Sequence, residues 1–226
     1  MESLHPLLLP ALARLPSDRP VVLFTRHSIR EQSANGFGSY SLPLTPEGVA
    51  LAEAWGARLD RPLHTVLTSP VGRCVDTARA MVAGSGQGGL SVDIHAQLVE
   101  PGCYVHDIRA VAPTFGRLGP VEFANLHFRE PVPGVRSPRE GAGRLLGVMR
   151  ASLGAPGTLS LLVSHDTILA AFIYTLLGIG RIGEADWPWM MEGAFLWFDD
   201  EQVHGLWRGE QFACRLDLFD SESGLP

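Results

Sequence analysis

The chain has 226 residues, with 18 basic against 24 acidic side chains and a formal net charge of −6. Every basic residue is Arg and none is Lys, which excludes Schiff-base lysine chemistry and leaves a P-loop or protein-kinase phosphate site without its lysine. The acidic balance argues against a general nucleic-acid or anionic-membrane surface. No apolar run reaches the ~20 residues of a membrane span.

With roughly 150 residues per domain as a guide, residues 1–226 are expected to form one domain, and a 46% hydrophobic composition supplies a substantial core. Residues 1–6 lack a basic leader region. Cys74, Cys103 and Cys214 are scattered, without a CxxC pair, and read as reduced thiols of a cytoplasmic protein.

In chain order, the first element is a strand at Val21 to Phe24. Its apolar run does not alternate, as expected of a strand covered on both faces. Thr45-Pro46-Glu47 then predicts a helix, with Thr at the N-cap and Pro at the first helical position. A second buried strand, Thr65 to Thr68, leads into Ser69-Pro70, which reads as the same helix start. A flexible loop over 84–89 precedes a weaker strand, Leu90 to Ile94.

Residues 101–136 carry five prolines among scattered aromatics and are expected to form an insertion with little regular structure. Ser137-Pro138-Arg139-Glu140 is a capping box opening a helix. A third buried strand, Thr158 to Val163, is followed by a helix that Asp166-Thr167 opens and Gly178 closes. Ala194 to Phe198 and Gln202 to Trp207 predict a hairpin across Asp199-Asp200-Glu201. Alternating strands and helices give an α/β fold. The expected form is a three-layer α/β/α sandwich with a mostly parallel sheet and the 101–136 insertion over the site.

The chemistry gathers behind the three buried strands. The first runs into Arg26, His27 and Arg30, the second into Arg73, the third into His165 and Asp166. Ligands in open α/β sheets bind outside the carboxyl ends of the strands. Cations beside helix N-termini oppose the helix dipole unless an anion lies between them. Phosphate fits, because Arg offers it bidentate geometry. A neutral imidazole is a competent nucleophile toward phosphorus, so Arg26-His27 points beyond binding. Such transfer also needs a carboxylic acid to protonate the leaving oxygen and then to activate water.

These residues, in this order, resemble the histidine phosphatase superfamily, which includes phosphoglycerate mutases and histidine acid phosphatases. The resemblance runs from about Val21 to Trp207. It rests on Arg26-His27, on Leu44-Thr45-Pro46-Glu47-Gly48, on Thr68-Ser69-Pro70 through Arg73 with Thr77-Ala78, and on Ser164-His165-Asp166-Thr167. It implies that His27 is the phosphorylated nucleophile and that Arg26, Arg73 and His165 clamp the phosphate. Arg30 resembles an additional phosphate-binding Arg of the acid-phosphatase branch.

For the proton donor the resemblance supplies two catalytic candidates. Asp166, directly after the second His, matches the acid-phosphatase branch and is the leading choice. Glu100, in Leu98-Val99-Glu100, matches the mutase-like branch. Ser28 departs from the family pattern, which has Gly after the nucleophilic His; its hydroxyl either crowds the phosphate or donates to it.

The expected activity is therefore a cofactor-independent phosphatase acting on a small phosphorylated substrate, with no metal, nucleic-acid or membrane partner. A phosphoglycerate-type mutase and a non-catalytic phosphate binder are the alternatives. His95, His106, His127 and His204 form no metal-ligand spacing. Trp187-Pro188-Trp189-Met190-Met191 reads as plain packing, a pocket wall or a homodimer patch. Asn35 and Tyr40 are placed to border the pocket. Between residues 31–43 and 101–136, aromatic side chains alternate with Arg109, Arg117, Arg129 and Arg136. Both an apolar phosphate ester and a substrate with a second anionic group remain open.

Overall fold

The computed structural model describes residues 4–32 and 40–219. Seven strands form one sheet: β1 (Val21–Arg26), β2 (Leu63–Thr68), β3 (Asp93–Ile94), β4 (Leu159–Ser164), β5 (Gly193–Phe198), β6 (Gln202–Trp207) and β7 (Glu210–Arg215). Their order is β3-β2-β4-β1-β5-β6-β7. The first four run parallel, and β5 to β7 extend that core as antiparallel strands.

Alternate side chains of β1 enter opposite cores, which is why its sequence shows no alternation. Val21 and Leu23 pack on one face with Ala52, Trp55, Ala78 and Met81. Val22 and Phe24 pack on the other with Leu145, Met149, Leu169 and Phe172. The first face is covered by the short α1 (Leu8–Ala11) with α2 (Pro46–Gly56) and α3 (Gly72–Gly84). The second is covered by α5 (Pro138–Ala151) and α6 (Asp166–Leu176). The expected three-layer α/β/α sandwich is what forms.

Two caps work as their sequences predict. The Thr45 hydroxyl accepts the Gly48 N–H at 3.0 Å, and that of Ser137 accepts the Glu140 N–H at 3.2 Å. Ser69-Pro70 does not start α3, which begins at Gly72 after Val71. The Ser69 hydroxyl instead meets a histidine ring, as described below. The segment at 84–89 is pinned rather than loose, because the Gln87 amide pairs with both backbone groups of Leu63, at 2.7 and 3.1 Å. β3 is only two residues of the expected five.

The largest departure is at 101–136, expected to be irregular. Most of it is helix α4 (Ile108–Arg129). Asp107 caps it, accepting the N–H groups of Arg109 and Ala110. Two of the prolines lie within it, Pro113 inside the first part and Pro120 at a break. Gly119, at φ 73°, breaks it, so Pro120 falls at the first position of the second segment, where its missing N–H costs nothing. Val121 and Ala124 of that segment pack on Ala170 and Tyr174 of α6, which suspends α4 over the carboxyl edge of the sheet.

Candidate active site

A cavity of about 380 Å³ opens at that edge, lined by His27, Arg30, Arg73, Glu100, His165 and Asp166 together with Tyr40 and Phe115. His27 directly follows β1 and His165 directly follows β4, while Arg73 stands in the first turn of α3, beyond β2. Parallel strands in register deliver all three to one edge. His27 and His165 meet edge to face, ring centroids 5.7 Å apart.

Hydrogen bonding fixes both ring tautomers. Nδ1 of His27 lies 2.7 Å from the Ser28 carbonyl oxygen, which can only accept, so Nδ1 carries the proton. Nε2 is left as a lone pair, and it accepts the Arg73 Nε–H at 2.9 Å. Arg73 also donates to Nδ1 of His165 at 3.3 Å. The His165 proton therefore lies on Nε2, 2.8 Å from the Ser69 hydroxyl.

Both imidazoles are held neutral. Burial, then the Arg26 charge, press the His27 pKa well below its ordinary value of 6.5. Burial and Arg73 lower His165 to about 4. The helix-dipole conflict read from the sequence is thus eased at His165 by deprotonation rather than by an anion alone.

Ser28 is buried, and both its hydroxyl and its N–H are engaged within the fold. Its hydroxyl donates to the Gly48 carbonyl at 2.7 Å, and its N–H donates to the Thr77 hydroxyl at 3.0 Å. Thr77 in turn donates to the Arg73 carbonyl at 2.7 Å. Gly48 is required here. A Cβ on it would lie 2.1 Å from the Ile29 carbonyl oxygen, so only glycine lets α2 approach the His27 loop.

Arg26 stands behind the cavity rather than on its wall. Its guanidinium pairs with Asp166 Oδ2 at 2.8 Å and donates to the Pro188 carbonyl at 2.6 Å. Burial raises the Asp166 carboxyl, but the Arg26 charge outweighs it and holds the group below its usual range. Trp187, on the segment read mainly as packing, donates Nε1–H toward Asp166 at 3.4 Å.

Glu100 is in the opposite condition. Its carboxylate accepts the N–H groups of Tyr104 and Val105, at 3.0 and 2.8 Å, yet burial outweighs these bonds and raises its pKa to about 7. Arg30 lines the cavity, with one guanidinium nitrogen donating to the Glu31 carbonyl at 2.9 Å. Tyr40 closes one side. Its hydroxyl donates to the Glu100 carbonyl at 2.9 Å, and its ring stands 5.8 Å from the Arg73 guanidinium. Asn35 and Phe37 lie outside the described residues.

Sequence reasoning missed Ser69 and Trp187 as partners of the second His and the adjacent Asp. Ser69 directly follows β2, as His165 directly follows β4, and that was the available signal. Among the described residues no group of three or more His, Cys, Asp or Glu side chains could hold a metal ion. No described helix is long and apolar enough to cross a membrane.

Parallel strands carrying His and Arg at their carboxyl ends under a helical roof define a phosphoglycerate mutase-like α/β fold. The chain belongs to the histidine phosphatase superfamily (branch 1), whose family model matches residues 22–189. That superfamily includes phosphatases and mutases.

Solved structures share the fold at low identity. A phosphoglycerate mutase from Bacillus anthracis aligns at TM-score 0.56 and 16% identity, over 90% of this chain and 97% of its own. YhfR of Bacillus stearothermophilus aligns at 0.55 and 17%, over 84% and 97%. A mycobacterial glucosyl-3-phosphoglycerate phosphatase aligns at 0.53 and 20%, over 79% and 89%. Comparison with curated proteins returns no match.

Proposed function

We propose that the protein is a cytoplasmic phosphatase that hydrolyses a small phosphate monoester through a phosphohistidine on His27, without a metal. One observation carries this. His27 is neutral and lines the cavity, its proton is committed to the Ser28 carbonyl, and its Nε2 lone pair is held by the Arg73 Nε–H.

A substrate phosphate entering the cavity competes for the Arg73 donors. As Arg73 turns them to the phosphate oxygens, Nε2 is freed and attacks phosphorus in line with the leaving oxygen. Arg30, Arg73 and the His165 ring surround the phosphoryl oxygens. The Ser28 carbonyl stabilises the positive charge the ring gains as the N–P bond forms. Arg26 acts indirectly, by holding Asp166 and the Pro188 segment in place.

The leaving alkoxide takes its proton from Glu100. A carboxyl with a pKa of about 7 still holds its proton near neutrality, whereas Asp166 is ionised and occupied by Arg26. The leading donor read from the sequence is therefore exchanged for the second candidate. The ionised Glu100 then removes a proton from the water that cleaves the N–P bond. Phosphate departs, His27 returns neutral, and Glu100 is protonated again.

The test is release of phosphate from an aryl phosphate by the wild type in the presence of chelator, with acid-labile label trapped on His27. His27→Ala is expected to reduce both to background. Hydrolysis that depends on added metal, or survives in His27→Ala, overturns the proposal. Formation of an isomeric phosphate ester instead of free phosphate assigns a mutase.

A further inference from the structure

A second cavity of about 350 Å³ opens beside the first. The two share Tyr40, Glu100, Phe115, Pro120, Thr167 and Ile168 on their walls. Beyond that boundary the lining turns almost wholly apolar, with Val111, Phe123, Ala171 and Trp187. The volume lies in the range of pockets that enclose small-molecule ligands.

Charge separates the two cavities sharply. The first holds Arg30 and Arg73. The second has no Arg among its described lining residues, and the chain has no Lys to substitute. None of the four arginines of this region lines the second cavity. Arg109 and Arg117 are exposed. Arg129 donates to the Asn125 carbonyl, and Arg136 to the Gly102 carbonyl and the Glu140 carboxylate. His127 on the wall donates its Nε2–H to the Arg136 carbonyl, and burial lowers its pKa, so it too is uncharged.

A carboxylate or second phosphate placed in this cavity would lose its hydration without meeting a cation, a large cost. A sugar would leave most of its hydroxyls without partners. An apolar group gains from every methylene removed from water. The geometry points to a phosphate monoester of an apolar alcohol or phenol as the substrate, its phosphate in the Arg30–Arg73 cavity and its hydrocarbon in the cavity under α4. This rests on the phosphatase reading above and adds the leaving-group class to it.

The test is affinity for the non-turnover variant His27→Ala, measured by calorimetry with butyl, hexyl and octyl phosphate, 2-naphthyl phosphate, glycerol phosphate and 3-phosphoglycerate. Affinity is expected to rise along the alkyl series by about fourfold per methylene until the cavity fills. Glycerol phosphate and 3-phosphoglycerate are expected to bind no better than inorganic phosphate. Adding Ala112→Trp, at an exposed position on the cavity wall, should abolish the octyl advantage and leave affinity for inorganic phosphate unchanged.

A flat alkyl series, tighter binding of 3-phosphoglycerate than of octyl phosphate, or an octyl advantage that survives Ala112→Trp overturns the inference. Wild-type turnover is followed in parallel. Absence of hydrolysis with this affinity order intact defeats the phosphatase reading alone.

Discussion

Arg73 donates its Nε–H to the Nε2 lone pair of His27 across 2.9 Å. A guanidinium keeps its charge at any accessible pH, so it opposes protonation of the ring it touches. With His165 also neutral down to a pKa of about 4, neither ring charges as pH falls through 6.5. The kcat/KM of the wild type for p-nitrophenyl phosphate, whose leaving group needs no proton, should therefore stay level from pH 8 to about 5.5. A fall centred near 6.5 would show an ordinary imidazole and contradict the arrangement.

The same depressed values set the pH dependence of stability. Between about 6.5 and 4 the unfolded chain binds a proton at His165 that the folded chain refuses. Stability is thus full above 6.5 and is lost as pH falls toward 4, with a slope of about 1.4 kcal/mol per pH unit for that residue. His27 adds loss of the same sign. Urea midpoints measured at pH 7.5, 6 and 5 should fall steadily, and His165→Gln should flatten the decline.

Glu100 and Asp166 separate by leaving group. Alkyl phosphates need a proton on the departing oxygen, whereas p-nitrophenolate departs without one. Glu100→Gln is expected to slow octyl phosphate hydrolysis by roughly 10²- to 10⁴-fold and to leave p-nitrophenyl phosphate much less affected. Asp166→Asn keeps an oxygen for Arg26 and should cost both substrates similarly, by about tenfold or less. For octyl phosphate the wild-type rate should decline above about pH 7 as Glu100 ionises. Single-turnover rates of the two variants on both esters decide between the carboxylates.

Ser28→Gly should remain active and lose only about 0.5–1.5 kcal/mol, the worth of its bond to the Gly48 carbonyl. Gly48→Ala should do far more harm, because its Cβ collides with the Ile29 backbone and must displace the loop that carries His27. Thermal melts and kcat of the two variants provide the comparison. Loss of kcat in Ser28→Gly at unchanged Tm would mean that the hydroxyl serves the phosphate after all.

β1, β4 and the strand-end residues were legible because burial on both faces and helix caps leave unambiguous local patterns, whereas β2, expected to be buried likewise, is only partly so. Thr45-Pro46 and Ser137-Pro138 are such patterns. β7 was not anticipated, since an exposed edge strand such as Glu210–Arg215 mixes charge and hydrophobicity. Arg208-Gly209, both at positive φ, was its one local signal, a two-residue hairpin turn. α4 was hidden because a proline reads as a breaker until the preceding glycine is known to end one segment and start another. Sequence could not separate Glu100 from Asp166, because the assignment proposed above rests on which carboxyl Arg26 pairs with.

The helix α4 and the groups proposed to handle phosphorus are largely separate parts of the chain. His27 and His165 follow the strand ends, Arg73 and Asp166 stand on α3 and α6, and Glu100 stands on the loop after β3, whereas the apolar cavity takes Val111 and Ala112 from the first half of α4. That half can exchange side chains with little consequence for the two main cores. Substrate preference in this architecture can therefore drift by point substitution while the reaction stays fixed, and residues 108–118 are where a library for redirected specificity should be placed.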